Sequence, residues 1–135
     1  MKSPRFLYVG IMLFGALVAC AQTQNSNVSN LASFDGEPSL AVNPLNPENI
    51  IAGWMRLRLD GKIWIAVRSS FDGGATWSPI QFLPHMQPDY GSADVSIAFH
   101  RSGLAYLLYI DFRMSPDTVG GVYLAHSTDG GLHWS

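Results

Sequence analysis

The segment Ser70-Phe71-Asp72-Gly73-Gly74-Ala75-Thr76-Trp77 is the most informative part of this chain of 135 residues for its fold. It has the form S-x-D-x-G-x-[TH]-W and directly follows an alternating apolar run. The same form returns 57 positions later as Ser127-Thr128-Asp129-Gly130-Gly131-Leu132-His133-Trp134. A repeat of this period is typical of stacked supersecondary units such as the blades of a propeller.

A second landmark repeats at the same offset. Residues 37–42 read acid, x, Ser, aliphatic, Ala, apolar, and residues 94–99 read the same way. Two landmarks with one offset indicate a duplicated four-stranded antiparallel unit. After residue 20, no segment has the hydrophobic periodicity of a helix. The predicted strands are 37–42, 50–59, 62–69 and 77–83, then 94–99, 104–112 and 122–127. Residues 43–49 are predicted to be a turn, because they contain two Asn-Pro pairs, and Asp60-Gly61 is a hairpin signal.

Tandem four-stranded units predict an all-β protein built as a β-propeller. Its first blade covers about 35–84 and its second about 90–135, where the fourth strand is missing. About two four-stranded antiparallel blades cannot close a ring of roughly four to eight. We therefore expect 34–135 to be the N-terminal part of an incomplete ring, with exposed apolar edges.

The composition excludes several classes of protein. The chain is 47% hydrophobic and 13% charged, which is an ordinary globular balance. Its net charge of −2 gives no reason to expect a nucleic acid as a partner. The single cysteine, Cys20, excludes an intramolecular disulfide framework.

Residues 1–20 have the pattern of an export signal. Lys2 and Arg5 precede an apolar stretch, 6–18, that is too short to span a bilayer comfortably. Leu17-Val18-Ala19-Cys20 resembles a bacterial lipobox, which implies lipidation of Cys20 and an outer-membrane or surface lipoprotein attached only by that lipid. The alternative is cleavage after Ala21, which gives a secreted or periplasmic protein. Polar residues 21–33 read as a flexible tether.

The chemistry of the two repeated segments is structural. A short turn carboxylate accepts hydrogen bonds from its own backbone, glycine supplies φ > 0, and tryptophan buries a ring and donates one N–H. The less common use of such Asp residues is as catalytic acids or metal ligands. The structural residues are Ser70, Asp72, Gly74 and Trp77, with Ser127, Asp129, Gly131 and Trp134.

These two segments resemble the Asp box, or bacterial neuraminidase repeat, of sialidases and sialidase-like propellers. The resemblance covers roughly 35–135 and implies a sialidase-like β-propeller. In that family the box lies between the third and fourth strands of a blade, away from the active site. A site is then expected at the opposite face, among the second-to-third-strand loops and the starts of the first strands.

The resemblance implies an arginine triad for a substrate carboxylate, an Asp acid/base and a Tyr–Glu nucleophile pair. Arg56 or Arg58 is then a triad arginine and Asp60 the acid/base. Gly36, however, stands where the family has its first triad arginine. The expected function is an exo-glycosidase of the exo-α-sialidase type that acts on glycans, with these 135 residues alone inactive. The alternative is a non-catalytic cell-surface propeller that binds glycan or protein.

Further charged residues are predicted at the same face. Glu37 and Asp94 take equivalent positions near the axis, and Asp111 and Arg113 lie at the second blade's loop, near Asp89 and Tyr90. The two axial acids either bond a neighbouring blade's backbone or join a carboxylate ring that binds Ca²⁺ or a cationic ligand. The alternative interpretation, without a function, is that Arg56 and Arg58 lie on the solvent-exposed face of an edge strand. The four histidines, which show no metal spacing, read as surface or turn residues: His85, His100, His126 and His133.

Overall fold

A computed structural model describes residues 25–30 and 33–135. The predicted export signal and Cys20 lie outside this part of the chain. The described residues contain seven strands and no helix, so no helix in them is long and apolar enough to cross a membrane. The strands are β1 (Asp35–Asn43), β2 (Asn46–Leu57), β3 (Ile63–Ser70), β4 (Gln81–Phe82), β5 (Gly91–Phe99), β6 (Ala105–Arg113) and β7 (Val119–Ser127).

The strands form two antiparallel sheets, which confirms the all-β prediction. Sheet 1 has four strands in the order β1-β2-β3-β4, and sheet 2 has three in the order β5-β6-β7. Both have a β-bulge in the first strand, between Gly36 and Ser39 in β1 and between Ala93 and Ser96 in β5. The duplicated sequence thus produces duplicated pairing, down to the position of the bulge.

The largest differences from the predicted strand boundaries are at the starts of β2 and β4. β2 begins at Asn46, inside the predicted turn, and so includes Pro47. Pairing of β2 with β3 starts only at Ile50, so the missing N–H of Pro47 breaks no ladder hydrogen bond. β4 covers only Gln81–Phe82 of the predicted 77–83, because Trp77 belongs to the turn segment and Pro79 has no N–H for a ladder hydrogen bond.

The hydrophobic core lies between the two sheets. The inner face of sheet 1 packs against the inner face of sheet 2, as alternation along each strand requires. The core contains Ile51, Met55, Ile65, Val67 and Leu83 from the first unit and Val95, Ile97, Ala105, Leu107 and Tyr109 from the second. A smaller cluster of Ala52, Trp54 and Ala66 lies on the outer face of sheet 1, where Val28 packs against it. This part of the predicted tether is therefore in contact with the sheet.

Candidate functional site

Strand pairing places the two repeated turns and the predicted site residues at opposite ends of the sheets. Ile50 pairs with Ser70 at one end of the β2–β3 ladder, and Leu57 pairs with Ile63 at the other. We call the first the turn end, since both S-x-D-x-G-x-[TH]-W segments leave from it. We call the second the loop end. The loop end holds all seven predicted catalytic and ligand-binding residues: Glu37, Arg56, Arg58, Asp60, Asp94, Asp111 and Arg113.

The two repeated turns at the turn end have matching hydrogen bonds. Ser70 Oγ donates to Asp72 Oδ1 at 2.8 Å, and Gly74 N donates to Ser70 Oγ at 2.8 Å. Ser127, Asp129 and Gly131 repeat these bonds at 2.8 and 2.9 Å. The second residue of each Gly-Gly pair has φ near +90°, which favours glycine there.

The carboxylates of these turns are occupied by their own backbone and side chains. Asp72 accepts from the Thr76 hydroxyl and amide, and these bonds lower its pKa to about 2. Burial would raise the pKa of Asp129, but hydrogen bonds led by those from His133 lower it to about 2. Such carboxylates stay ionised and have few free lone pairs, so they suit a turn clasp better than an acid catalyst.

The tryptophans of the turns differ from the prediction in one respect. Both rings are partly buried, with Trp77 against the outer face of sheet 1 and Trp134 against the core between the sheets. Neither Nε1 has a hydrogen-bond partner among the described residues. The rings therefore contribute by packing alone in this part of the chain.

Asn49 connects the second turn to the first sheet. Its side chain is buried, and Nδ2 donates to both Ser70 O and Gly130 O at 3.1 Å. A Cβ on Gly130 would lie 2.8 Å from Asn49 Oδ1, so the contact also requires glycine. The Asn49 amide group thereby helps to hold the second turn on the first sheet, together with Gln81 Nε2, which donates to Gly131 O at 3.1 Å.

Arg56, at the loop end, forms a buried ion pair that the sequence did not reveal. Its Nε and Nη2 each lie 2.6 Å from a carboxylate oxygen of Asp35, and its side chain is 2% exposed. Trp54 Nε1 also donates to this carboxylate, at 2.9 Å. Burial would raise the pKa of Asp35, but the hydrogen bonds from Arg56 and other neighbours hold it below its ordinary value. Arg56 Nη1 has no partner among the described residues.

Arg58 is exposed and lies over two aromatic rings. Its Cζ is 4.8 Å from the centroid of Trp64 and 4.6 Å from that of Phe82. Cation–π contacts of this kind orient a guanidinium without using its N–H donors. Arg56 and Arg58 border a groove of about 590 Å³, which we call the loop groove. Its lining is Ser33, Arg56, Leu57, Arg58, Leu59, Asp60 and Phe82.

Asp60 is held by its own hairpin. Oδ1 accepts from Lys62 N at 2.9 Å, and Oδ2 accepts from Trp64 Nε1 at 3.0 Å. The bond from the Lys62 amide is the main cause that lowers the pKa of Asp60. A general acid needs a pKa raised toward the working pH. The structure therefore gives no support to Asp60 as the proton donor.

Glu37 and Asp94 share an unusual backbone geometry and contact each other. Both lie in the bulges, with φ of +49° and +53°, a region that non-glycine residues seldom adopt. Their carboxyl groups share a hydrogen bond, and this bond is the main cause that raises the pKa of Glu37. In the described residues no group of three or more His, Cys, Asp or Glu side chains is arranged to hold a metal ion.

Asp111 is fully buried, and its carboxylate binds the connection between the sheets. It accepts from Met86 N at 2.6 Å and Ser92 Oγ at 2.9 Å, and it lies 2.8 Å from His85 Nδ1. His85 was predicted to be a surface or turn residue; it lies in the connection between β4 and β5, but its side chain is only 4% exposed. Its ring packs on Trp64 with centroids 4.1 Å apart. A buried carboxylate needs such partners, which the sequence pattern did not indicate.

Arg113 forms an ion pair with an exposed acid. Its Nη1 donates to Asp89 Oδ2 at 2.7 Å, and this bond is the main cause that lowers the pKa of Asp89. Both residues line a second loop-end groove, of about 360 Å³. The predicted site residues thus fall into four separate groups: the loop groove, the Glu37–Asp94 contact, the connection held by Asp111 and the Arg113–Asp89 pair.

Comparison with known proteins identifies no family for this chain. No family model matches the chain, and no curated protein matches it. The assignment of a function therefore rests on the residues and their geometry.

Proposed function

We propose that the chain belongs to an exported sialidase-like β-propeller that binds acidic glycans at its loop end. The two sheets have the duplicated order and bulges of successive blades, and the turn hydrogen bonds repeat in both. The leader before residue 21 supports export, with a lipid on Cys20 or cleavage after Ala21. A glycan or glycoconjugate is the expected partner.

The observation that carries the proposal is the pair of arginines on the loop groove. Asp35 satisfies Nε and Nη2 of Arg56 but leaves Nη1, a buried donor, without a partner. An unpaired buried donor is costly, and a ligand oxygen in the groove would satisfy it. Arg58 offers a whole guanidinium fork at the same groove, and this fork matches the geometry of a carboxylate.

Binding measured by calorimetry tests the proposal. A sialylated oligosaccharide is expected to bind the full-length protein more tightly than its asialo counterpart. Arg58→Ala should weaken binding at least about tenfold, since hydrogen bonds to charged groups are worth about 1.5–3 kcal/mol. Arg101→Ala is the matched control, because Arg101 is an exposed arginine at the turn end. Equal affinity for both sugars, or an equal loss in both variants, would contradict the proposal.

Hydrolysis is the second candidate, and Glu37 is the observation that favours it. The Asp94 carboxyl group raises the pKa of Glu37 above its ordinary value, which is the direction that a general acid requires. In an assay with a fluorogenic sialoside, Glu37→Gln should then abolish turnover by the full-length protein, while Asp60→Asn should retain most of it. Binding without turnover would favour the alternative, a non-catalytic propeller that binds glycan or protein.

A further inference from the structure

The two loop-end grooves occupy matching positions in the repeat. Arg56 and Asp111 match in register, because their partners on the first strands lie 57 residues apart. Arg58 follows two residues after Arg56, and Arg113 follows two residues after Asp111. Arg58 borders the loop groove, and Arg113 borders the second groove of about 360 Å³. The second groove is therefore the counterpart of the loop groove, one unit further along the chain.

We call the second groove the junction groove, because its walls come from successive units. Residues 61–63 of the first unit form one wall, and residues 89–93 and 112–115 form the other. These two units are already neighbours in the described part of the chain. The junction groove therefore does not depend on what covers the outer face of either sheet.

The charged groups of the junction groove have an excess of positive charge. Lys62 and Arg113 are its two cations, and Asp89 is its one acid. Arg113 Nη1 donates to Asp89 Oδ2 at 2.7 Å, while the buried Nε has no partner among the described residues. The side chains of Arg113 and Asp89 are 31% and 51% exposed, and exposed ion pairs are weak. A ligand carboxylate can therefore compete with Asp89 for the guanidinium of Arg113.

Aromatic side chains line the junction groove beside these charges. Tyr90 and Phe112 border it, as Phe82 borders the loop groove. Sites for small ligands commonly combine an apolar wall with a few polar groups that fix the orientation of the ligand. Both grooves thus combine arginine with an aromatic wall, which suits a sugar that carries a carboxylate.

One hairpin separates the two grooves. Asp60 borders the loop groove, whereas Gly61 and Lys62 border the junction groove. Arg58 N donates to Lys62 O at 2.9 Å, and Gly61 N donates to Arg58 O at 3.0 Å, so backbone hydrogen bonds close the hairpin. A ligand that lies in the loop groove therefore has to cross only this hairpin to reach Arg113.

We infer that the junction groove binds a second acidic sugar of the same glycan whose first acidic sugar lies in the loop groove. This inference rests on the proposed function. The preferred ligand is then an oligosaccharide with two consecutive sialic acid residues. Arg58 binds the first carboxylate and Arg113 binds the second, which displaces Asp89 from Arg113.

Calorimetry on the full-length protein tests this inference with two oligosaccharides, which carry one sialic acid residue and two consecutive ones. The disialylated ligand is expected to bind at least about tenfold more tightly than the monosialylated one. Arg113→Ala should bring the two affinities close together, whereas Arg101→Ala should keep them apart. An advantage that survives Arg113→Ala, or no advantage at all, would overturn the inference while the proposed function stands. If neither ligand binds, the proposed function fails, and the inference fails with it.

Asp89→Asn gives a second readout with the opposite sign. It removes the competing carboxylate from Arg113, so the disialylated ligand should bind about two- to fivefold more tightly, which is the range for an exposed ion pair. Asp117→Asn, at an exposed acid of the loop after β6, changes the net charge equally and should leave the affinity unchanged. A loss of fold would weaken binding, so it cannot produce the expected increase. Equal or weaker binding by Asp89→Asn would contradict the inference.

Amide chemical shifts locate the second sugar. Gly91 and Ser115 line the junction groove but not the loop groove. Their signals should shift when the disialylated ligand binds and should stay in place with the monosialylated one. Unshifted signals at saturation with the disialylated ligand would overturn the inference.

Discussion

Asp72 and Asp129 at the turn end have the same hydrogen-bonding scheme, whereas Arg56 and Asp111 at the loop end occupy matching register positions and have different partners. Arg56 pairs across to Asp35 in the first unit, and Asp111 pairs across to Ser92 in the second. The acid lies on the first strand in one unit and on the second strand in the other. The two units thus share the structure of the turn end and differ in the ion pairs and hydrogen bonds of the loop end.

The divergence continues away from these pairs. Trp64, next to Arg56 in the ladder, corresponds to Gly121 in the second unit. Trp64 places Arg58 over the loop groove, and no aromatic ring stands at the matching position of sheet 2. The loop end of the first unit thus has two arginines on one groove, whereas the second unit has one, Arg113, which is paired with Asp89. This asymmetry supports a binding role for the first unit.

The largest expected effect comes from breaking the loop-end pair of the first unit. Asp35→Ala leaves the Arg56 guanidinium buried without a counter-charge, which should lower the free energy of unfolding by about 3–5 kcal/mol. Ser92→Ala, at the matching position, removes one hydrogen bond to Asp111 and should cost about 1–2 kcal/mol. Urea denaturation of both variants measures the difference. Equal losses would mean that the two loop-end pairs are equivalent after all.

A smaller effect is expected at the turn end. Asn49→Ala removes both bonds from Nδ2 and leaves the carbonyls of Ser70 and Gly130 unsatisfied, which should cost about 2 kcal/mol. Asn46→Ala, in an exposed position, is the matched control. Thermal unfolding checks the pair of variants, and hydrogen exchange at Gly131 N should speed up only in Asn49→Ala. Indistinguishable melting curves would show that Asn49 does not connect the turns.

The smallest effect is a pH dependence of stability that belongs to the turn end. The folded pKa of Asp72 and Asp129 is about 2, below the ordinary 3.8, so their contribution is present above pH 3.8. It is lost as the pH falls from about 3.8 through 2. Tm should fall over this window, and Asp72→Asn together with Asp129→Asn should flatten the slope. The pKa of Glu37 is raised rather than lowered, so its protonation does not destabilise the fold as the pH falls. Glu37→Gln should therefore not flatten the slope of Tm against pH.

Much of the fold follows from local sequence features. Alternation in β3 and β7, the Asp-Gly hairpin and the paired Gly residues each act within a few residues, which is why the strand order and the turns could be predicted. The 57-residue offset then gave the duplication and the end on which Glu37 and Asp94 lie. The starts of β2 and β4 were predicted wrongly because a strand boundary depends on which backbone groups of the neighbouring strand hydrogen-bond to it.

The all-β class, the repeated unit and the geometry of the turns follow from the sequence alone, because spacing and alternation encode them locally. The partners of the loop-end charges depend instead on tertiary contacts. Asp35 lies 21 positions from Arg56, His85 lies 26 from Asp111, and Gly130 lies 81 from Asn49. Such pairs depend on register and on how one sheet packs against the next, and burial of each group forces it to find a partner wherever the chain brings one.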